Sequence, residues 1–178
     1  MTSLTPGSWT LDAAHSDIGL KVRHAGISTV RATFAEAEGT LSVGEDGALD
    51  VEAVVDPASF DSKNPDRDAH VRSADFLDVE TYPEATFRTG QFRAEGEEFE
   101  VTGELTLHGV TKPVTFDVEF GGQAVDPFGA TRAGLSATTT VSRKDFGLTW
   151  NAALEAGGVL VSDKVTLTLD VAFVLNAS

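Results

Sequence analysis

The sequence predicts an all-β protein, a closed antiparallel barrel of about eight strands with one short helical insertion. Apolar residues recur with a period of two over most of the 178 residues, which is typical of strands with one buried face. The apolar face carries small residues where a filled core would need bulk. We therefore predict one hollow barrel domain over residues 1–178; the alternative is a sandwich whose second sheet fills the gaps. The small residues are Ala32, Ala37, Gly39, Ala53, Gly103, Ala137 and Thr139.

The N-terminal strands share an apolar face that changes parity partway along. Even-numbered positions face inward from residue 18 to residue 34, and odd-numbered positions do so from residue 37 onward. Such a change predicts a β-bulge near Ala35 or Glu36, where the strand bends. Residues 44–47 then predict a hairpin turn. The inward set is Trp9, Leu11, Ile18, Leu20, Val22, His24, Val30, Ala32, Phe34, Ala37, Gly39, Leu41, Val43, Leu49, Val51, Ala53 and Val55.

The alternation stops between residues 57 and 83, where we predict a short helix. Val71 and the residues after it have helical spacing, and Asp66 is the predicted N-cap. The charged residues of this segment, Arg67 among them, are expected to cap the helix and form surface ion pairs. Phe76 and Leu77 follow, and we expect them to pack against the barrel, either sealing its end or forming a movable cap over its opening.

Five further strands are predicted in the C-terminal half, separated by turns that contain Gly or Pro. The last strand is the clearest, because its apolar residues alternate with polar ones almost without a break. The predicted strands cover residues 85–89, 99–107, 114–120, 135–143 and 159–175.

The composition is strongly acidic, with 28 Asp and Glu against 13 Lys and Arg and a net charge of −15. Such a surface repels phosphate backbones and anionic headgroups, so we expect no nucleic-acid partner and no electrostatic docking on a membrane. The sequence contains no apolar run long enough to span a bilayer and no signal-peptide pattern at its start. The expected location is the cytoplasm, or the periplasm or exterior if a leader has been removed.

Motifs for catalysis are missing from the sequence. The absence of cysteine excludes disulfides and thiolate chemistry, and the four histidines match no metal-ligand spacing. No nucleophile elbow, phosphate loop or nucleotide fingerprint occurs. We therefore expect no metal, no cofactor and no enzymatic activity. Two alternatives stay open: an enzyme with His24 as acid or base on a lipid-like substrate, and a stress-related interaction module without a ligand.

Two polar residues, His24 and Arg143, fall on the apolar face of their strands. A buried guanidinium needs an anionic partner, hydrogen-bonded carbonyls or water at the barrel mouth. Asp145 or Asp17 is the expected partner if Arg143 is structural. In the second hypothesis Arg143, together with His24, contacts the polar head of a ligand whose tail fills the cavity. His24 alone is otherwise a core histidine with satisfied hydrogen bonds.

Five short fragments occur in order with matching gaps between residues 9 and 175, namely residues 12–16, 67–78, 82–87, 103–114 and 143–147. With these fragments the chain resembles the YceI-like family of lipocalin-fold, polyisoprenoid-binding proteins. The resemblance implies an eight-stranded, lipocalin-like antiparallel barrel that holds a long prenyl chain in an elongated apolar pocket. Leu20 stands where the family often has Phe, which implies a different pocket width.

We therefore predict a non-catalytic protein that binds, stores or transports an isoprenoid lipid, such as a polyprenyl phosphate or a prenyl quinone. Burial of the tail would set the affinity, and a polar contact at the mouth would set the orientation. Whether the chain forms a homodimer is left open. The predicted ligand-binding residues are Leu20, Val22, His24, Ala32, Phe34, Ala53, Phe76, Ala137 and Arg143.

Overall fold

Eleven strand segments form one closed sheet in the computed structural model, which describes residues 4–154 and 157–177. The strands are β1 (Gly7–Leu11), β2 (Asp17–His24), β3 (Ser28–Phe34), β4 (Ala37–Val43), β5 (Leu49–Val55), β6 (Phe60–Asp61), β7 (Ala85–Arg88), β8 (Glu98–Leu107), β9 (Val110–Val125), β10 (Thr131–Ser142) and β11 (Val161–Leu175). One α-helix, α1 (Pro65–Arg72), and three 3₁₀ turns, Ala13–His15, Pro57–Ser59 and Arg143–Phe146, complete the elements. No helix among the described residues is long and apolar enough to cross a membrane.

The eleven segments make eight barrel strands, because three of the strands are interrupted. β1 continues into β2, β3 into β4, and β5 into β6; accordingly β1 pairs with β4 while β2 pairs with β3. β11 closes the ring, since it pairs with β10 on one side and with both β1 and β2 on the other. The predicted eight-stranded antiparallel barrel is confirmed. The sandwich alternative is wrong, because a single sheet closes on itself.

The change of parity lies where the sequence predicts it, but it is wider than a β-bulge. The register runs from the pair Phe34 and Phe60 to the pair Ala37 and Val55. Residues 35–36 on one strand therefore face residues 56–59 on the other. Both strands are interrupted at the same level, which lets the sheet bend as barrel closure requires.

The helix begins at Pro65 and is capped by Asn64, so the prediction of Asp66 as the N-cap is wrong. The Asn64 side chain accepts a hydrogen bond from the Arg67 N–H at 3.1 Å. Asn at the cap followed by Pro in the first turn satisfies one free N–H and fixes the first helical dihedral. Asp66 lies in the first turn instead, where a negative charge is favourable.

Two clusters of buried apolar residues lie towards opposite ends of the barrel. The first surrounds Trp9, whose side chain is fully buried and whose Nε1 donates to the Thr5 carbonyl at 3.0 Å. The second includes Phe60 and Phe146. We call the end with the β4–β5 and β9–β10 turns the Trp9 end. The opposite end, with α1 and the β2–β3 turn, is the Arg143 end.

Candidate functional site

A continuous apolar cavity of about 440 Å³ runs through the barrel, and this volume is within the range of ligand pockets. Along β11 its wall extends from Val161 to Phe173, which is about 40 Å of strand at roughly 3.3 Å per residue. With the usual strand tilt this is about 30 Å along the barrel axis, close to the hydrocarbon thickness of a bilayer. Leu4 and Phe92 line its Trp9 end. The shape fits a long, thin apolar molecule.

Inward-facing side chains of the barrel keep an accessible surface. Leu20, Val22 and Phe34 line the cavity and are only half-buried. Side chains of this kind at the centre of a filled core are normally buried completely. Their exposure is therefore exposure to the cavity, and the interior is hollow as the small-residue pattern predicts.

All but one of the predicted ligand-binding residues lie on the cavity wall. Those on the wall are Leu20, Val22, His24, Phe34, Ala53, Phe76, Ala137 and Arg143. Ala32 is the exception: it is 4% exposed and packs in the core cluster that contains Phe60 and Phe146. Its placement on the wall is corrected, because its small side chain lies among the larger ones of that cluster. Ligand contact by the others stays a prediction.

Small residues on the inward face have two different uses. Gly39, Ala53 and Ala137 line the cavity. Gly103 does not, because a Cβ at this position would lie 2.5 Å from Cζ of Phe87. This glycine gives room to a neighbouring ring rather than to a ligand. The alternation pattern cannot separate the two uses, since both place a small residue inside.

Arg143 is 4% exposed and is held at the cavity wall by backbone carbonyls. Its Nε donates to the Ser162 carbonyl at 2.9 Å, and its Nη1 donates to those of Leu148 and Trp150 at 2.7 and 2.8 Å. Its Nη2 donates to the Val161 carbonyl at 3.2 Å. These bonds tie the segment after the third 3₁₀ turn to β11. One of the five N–H groups, on Nη2, is left without an acceptor in the part of the chain that the structure describes.

No carboxylate pairs with Arg143 among the described residues, so the expected partners Asp145 and Asp17 are wrong. Burial lowers the pKa of the Arg143 guanidinium, and the Asp163 carboxylate opposes this through space. Asp163 itself accepts hydrogen bonds from Ser142 Oγ and the Lys144 N–H. Arg143 is thus a buried cation stabilised by carbonyl dipoles, and it leaves a positive potential at the cavity wall.

Three rings form a cluster beside Arg143. The ring centroid of His70 lies 5.1 Å from that of Phe76 and 4.7 Å from that of Trp150, and Phe76 and Trp150 are 5.2 Å apart. The Arg143 guanidinium lies 5.9 Å from the Phe76 centroid, within cation–π range. His70 Nε2 is 2.8 Å from the Asp75 carboxylate. The cluster links the α1 segment to the loop before β11 at the Arg143 end. The two predicted roles of Phe76, a seal and a movable cap, both stay predictions.

His24 lies on the cavity wall at the end of β2. Within the described ranges its imidazole has no hydrogen-bond or ion-pair partner. The described residues thus supply none of the hydrogen bonds that the alternative of a core histidine requires. The ring is available to a molecule inside the cavity.

The charged and titratable side chains of the wall are all basic in the described part of the chain, although the protein carries 28 acidic and 13 basic residues. They are His24, Arg67, His70 and Arg143; Arg23 also borders the cavity, but its side chain lies on the outer face, where it bonds to Thr29. This separation of charge favours an anionic group at the Arg143 end. No group of three or more His, Asp or Glu among the described residues has a metal-site arrangement.

Sequence reasoning missed Arg67, His70 and Trp150 as wall residues. The expectation that Arg67 forms surface ion pairs is wrong, because its Nε donates to Ser62 Oγ at 2.8 Å and its Nη2 to the Ser62 carbonyl at 2.9 Å. The conspicuous fragment 67–78 was the available signal for the first two residues. Trp150 lies in a segment without periodicity, so no pattern marks it.

Comparison with known sequences gives one family. Residues 9–173 match the YceI-like domain. A UPF0312 protein of Pseudomonas putida strain W619 is 43% identical over 140 residues, covering 77% of this chain and 73% of the relative. The protein YceI of Salmonella paratyphi B is 39% identical over 140 residues, covering 78% of this chain and 73% of the relative.

Solved structures share the fold. A YCEI protein of Campylobacter jejuni superposes with a TM-score of 0.72 at 29% identity, covering 99% of this chain and 100% of that one. Burkholderia cenocepacia BcnA gives a TM-score of 0.77 at 21% identity, with 91% and 98% covered. A domain of Saccharophagus degradans described as polyisoprenoid-binding gives 0.70 at 17% identity, with 94% and 98% covered. The matched sequence range and the shared barrel confirm the resemblance, and this chain belongs to the YceI-like family.

Proposed function

We propose that this protein binds a long-chain isoprenoid lipid and stores or carries it without chemical conversion. The continuous apolar cavity with a basic wall at one end is the observation that supports this most directly. One structural neighbour is described as a polyisoprenoid-binding domain, and the chain shares its barrel. The proposal requires no cofactor apart from the lipid.

The hydrocarbon tail supplies most of the binding free energy in this proposal. Removing about 300 Å² of apolar surface from water stabilises a complex by roughly 7 kcal/mol before the ordering of the tail is subtracted. A sugar or a peptide would lose its hydrogen bonds to water and find few replacements on this wall. The wall therefore favours a hydrocarbon over a polar ligand of the same length.

The head of the lipid lies at the Arg143 end in this proposal, and it is anionic. Arg143 offers the remaining N–H on Nη2, and His24 offers an imidazole without a protein partner in the described ranges. Hydrogen bonds from charged donors to phosphate oxygens are among the strongest in proteins. A polyprenyl phosphate is accordingly favoured over a prenyl quinone.

The test is to extract freshly purified protein with organic solvent and identify the lipid by mass spectrometry, then to titrate the protein with a prenyl phosphate and the matching prenyl alcohol. We expect a copurified isoprenoid and binding of both ligands, with the phosphate bound at least about tenfold more tightly. An extract without lipid, together with no binding of either ligand, would contradict the proposal.

A cavity-filling substitution with a matched control tests the location. Ala53→Phe places a ring on the cavity wall, whereas Val54→Phe places it on the outer face, where Val54 is 36% exposed. We expect the first variant to lose binding of both ligands and the second to keep it. Equal losses in the two variants would place the binding site elsewhere.

His24→Ala separates binding from catalysis. In the carrier proposal this variant lowers the affinity for the prenyl phosphate several-fold and leaves the affinity for the prenyl alcohol unchanged, because only the phosphate group contacts the imidazole ring. In the alternative with His24 as acid or base, it abolishes turnover of a lipid-like substrate while affinity stays within several-fold. Detectable conversion of the bound lipid by the wild-type protein would refute the carrier proposal.

A further inference from the structure

Outward-facing basic residues concentrate near the β2–β3 turn at the Arg143 end. Lys21 and Arg31 are directly opposite each other in the β2–β3 register, and Lys164 lies on the neighbouring strand β11. All three side chains are exposed. The acidic residues of these strands' outer face, Asp17 and Asp170, are opposite each other towards the Trp9 end. The sign of the charge therefore changes along the strands.

The pairing of Lys21 with Arg31 is unfavourable within the fold. Like charges directly opposite in an antiparallel pair repel each other. Neither side chain has a hydrogen-bond or ion-pair partner in the described ranges. Asp163, next to Lys164 in sequence, accepts hydrogen bonds from Ser142 and Lys144 and also attracts Lys164 through space. An anionic surface outside the protein would attract both side chains and offset their mutual repulsion.

Exposed apolar side chains lie beside these charges. Ile27, in the β2–β3 turn, is 84% exposed, and Val159, in the loop before β11, is 51% exposed. The two loops are joined by a hydrogen bond from the Ala25 N–H to the Leu160 carbonyl at 2.7 Å. Leu160, in the loop before β11, and His24, at the end of β2, both line the cavity. The apolar tips therefore stand next to the cavity's Arg143 end.

The turn itself is held firmly. Arg23 Nη2 donates to the Gly26 carbonyl at 2.8 Å, and its Nη1 donates to Thr29 Oγ1 at 3.2 Å. Gly26 has a φ of +71°, which glycine adopts without strain. Ile27 is thus presented on a stiff hairpin rather than on a loose loop.

We propose that this surface, the mouth patch of Lys21, Arg23, Ile27, Arg31, Val159 and Lys164, docks on an anionic lipid bilayer. Basic residues draw the patch to the headgroups and the apolar tips enter the interface, the combination used by peripheral membrane proteins. Docking in this orientation opens the cavity towards the bilayer, so that a tail enters without crossing water. This last consequence rests on the proposed function, whereas docking itself does not.

The net charge of −15 opposes docking in this orientation less than its size suggests, because most of the barrel's length lies beyond the screening distance. Charges are screened beyond about 8 Å at physiological ionic strength, whereas β11 alone, with 15 residues, spans about 50 Å. Asp17 and Asp170 lie four positions further along their strands than Lys21 and its partner Thr166, which is about 13 Å and more than one screening length. The sequence-based expectation of no electrostatic docking on a membrane assumed that the negative charge is spread evenly over the surface. The mouth patch is basic and differs from the rest of that surface.

The test is flotation of the 178-residue protein with vesicles. We expect it to bind vesicles of equal parts phosphatidylcholine and phosphatidylglycerol, not pure phosphatidylcholine, and to be released by high salt. The double variant Lys21→Gln, Arg31→Gln should lower the partition coefficient about tenfold or more, since each basic residue contributes about fivefold. Ile27→Ser should lower it several-fold.

Two control variants match these changes elsewhere on the barrel. Arg88→Gln with Lys112→Gln removes the same charge from β7 and β9. Phe128→Ser removes a 95% exposed ring in the β9–β10 turn at the Trp9 end. Both controls should float like the wild type. Three results would overturn the proposal. The control variants could lose as much binding as the patch variants, the wild type could bind neutral vesicles equally well, or it could bind polyglutamate but not vesicles.

Titration with a soluble, short-chain prenyl phosphate separates this proposal from the proposed function. The patch variants should keep the wild-type affinity, because their side chains face outward. Lost flotation with intact prenyl-phosphate affinity supports a docking role for the patch. A wild-type protein that binds the phosphate but no vesicle overturns docking and leaves lipid binding standing, whereas one that binds vesicles but no phosphate does the reverse.

Discussion

Arg143 is stabilised by the backbone rather than by a counter-ion. Four carbonyl groups accept its hydrogen bonds, and carbonyl groups in the interior need such donors as much as the guanidinium needs acceptors. A planar group with five N–H donors can reach several segments at once, which a lysine ammonium cannot. The residue therefore joins the loop after Leu148 to β11 and also supplies positive charge to the cavity.

Arg143→Leu should lower the free energy of unfolding by about 3–5 kcal/mol, because several buried carbonyls lose their donors. Arg143→Lys should recover only part of this loss. Chemical denaturation monitored by circular dichroism measures both, and Lys144→Leu, at the exposed neighbouring position, is the control. A loss below about 1 kcal/mol for Arg143→Leu would show that the carbonyls find other partners.

At the scale of a strand, a single glycine decides whether two neighbours can pack. β8 carries Gly103 so close to β7 that a Cβ there would lie 2.5 Å from the Phe87 ring and 2.7 Å from the Arg88 carbonyl oxygen. β10 carries Gly134, where a Cβ would meet nothing within 4 Å. The two glycines occupy strands of the same sheet, so they form a matched pair.

Gly103→Ala should destabilise the protein by about 1–3 kcal/mol, since overpacking forces the ring or the backbone to move. Gly134→Ala should be neutral or slightly stabilising, because alanine restricts the unfolded chain. Thermal unfolding of the two variants measures the contrast. Equal melting temperatures would contradict the packing argument.

The β9–β10 turn is fastened to the end of β1 by an ion-pair network. Arg132 Nη1 lies 2.7 Å from the Asp12 carboxylate, and Arg132 Nε lies 2.7 Å from that of Asp126. The hydrogen bond from Arg132 is the main reason that the pKa of Asp12 and the pKa of Asp126 lie below their ordinary values. A carboxyl with a lowered folded-state pKa stabilises the fold above its unfolded-state pKa, and this contribution is lost as the pH falls through the folded-state value.

Arg132→Gln should therefore lower the melting temperature at neutral pH, and its difference from the wild type should shrink as the pH falls below about 4. Melting curves across this range measure the effect. Lys112→Gln, which removes an exposed charge on β9, should show no such pH dependence. If the melting temperatures of Arg132→Gln and the wild type differed by the same amount down to strongly acidic pH, the ion pairs of Arg132 would not be the source of the stabilisation.

For the whole molecule, strand alternation predicted the strands and most of the cavity wall, and the small residues on the inward face favoured a barrel over a sandwich. Leu20, Val22 and Ala137 were identified because side-chain direction in a strand follows directly from parity. The carbonyl partners of Arg143 could not be identified from the sequence, since two of them come from residues 148–150, a segment without strand alternation. Nor could Ala32 be separated from Ala53, because alternation gives the side of the sheet and not which larger side chains lie in front.

Ligand binding should stabilise the entire barrel. A prenyl phosphate at about one hundred times its Kd should add about 2.7 kcal/mol, equivalent to a rise of roughly 5–10 °C in Tm for a protein of this size. Differential scanning calorimetry tests this, with Ala53→Phe as the variant that should not respond. A wild-type Tm that is independent of the lipid concentration would exclude tight binding to the folded state.

The pairing of β1 with β11 also has a consequence for biosynthesis. Trp9 lies opposite Leu175, so the ring cannot close until β11 has left the ribosome. Until then the apolar inner surface of the sheet faces water, and contacts between residues so far apart in the sequence form slowly. A nascent chain stalled before β11 should bind chaperones and be cleaved readily by proteases. Once β11 has emerged and paired with β1, chaperone binding and protease sensitivity should be lost together in one cooperative step.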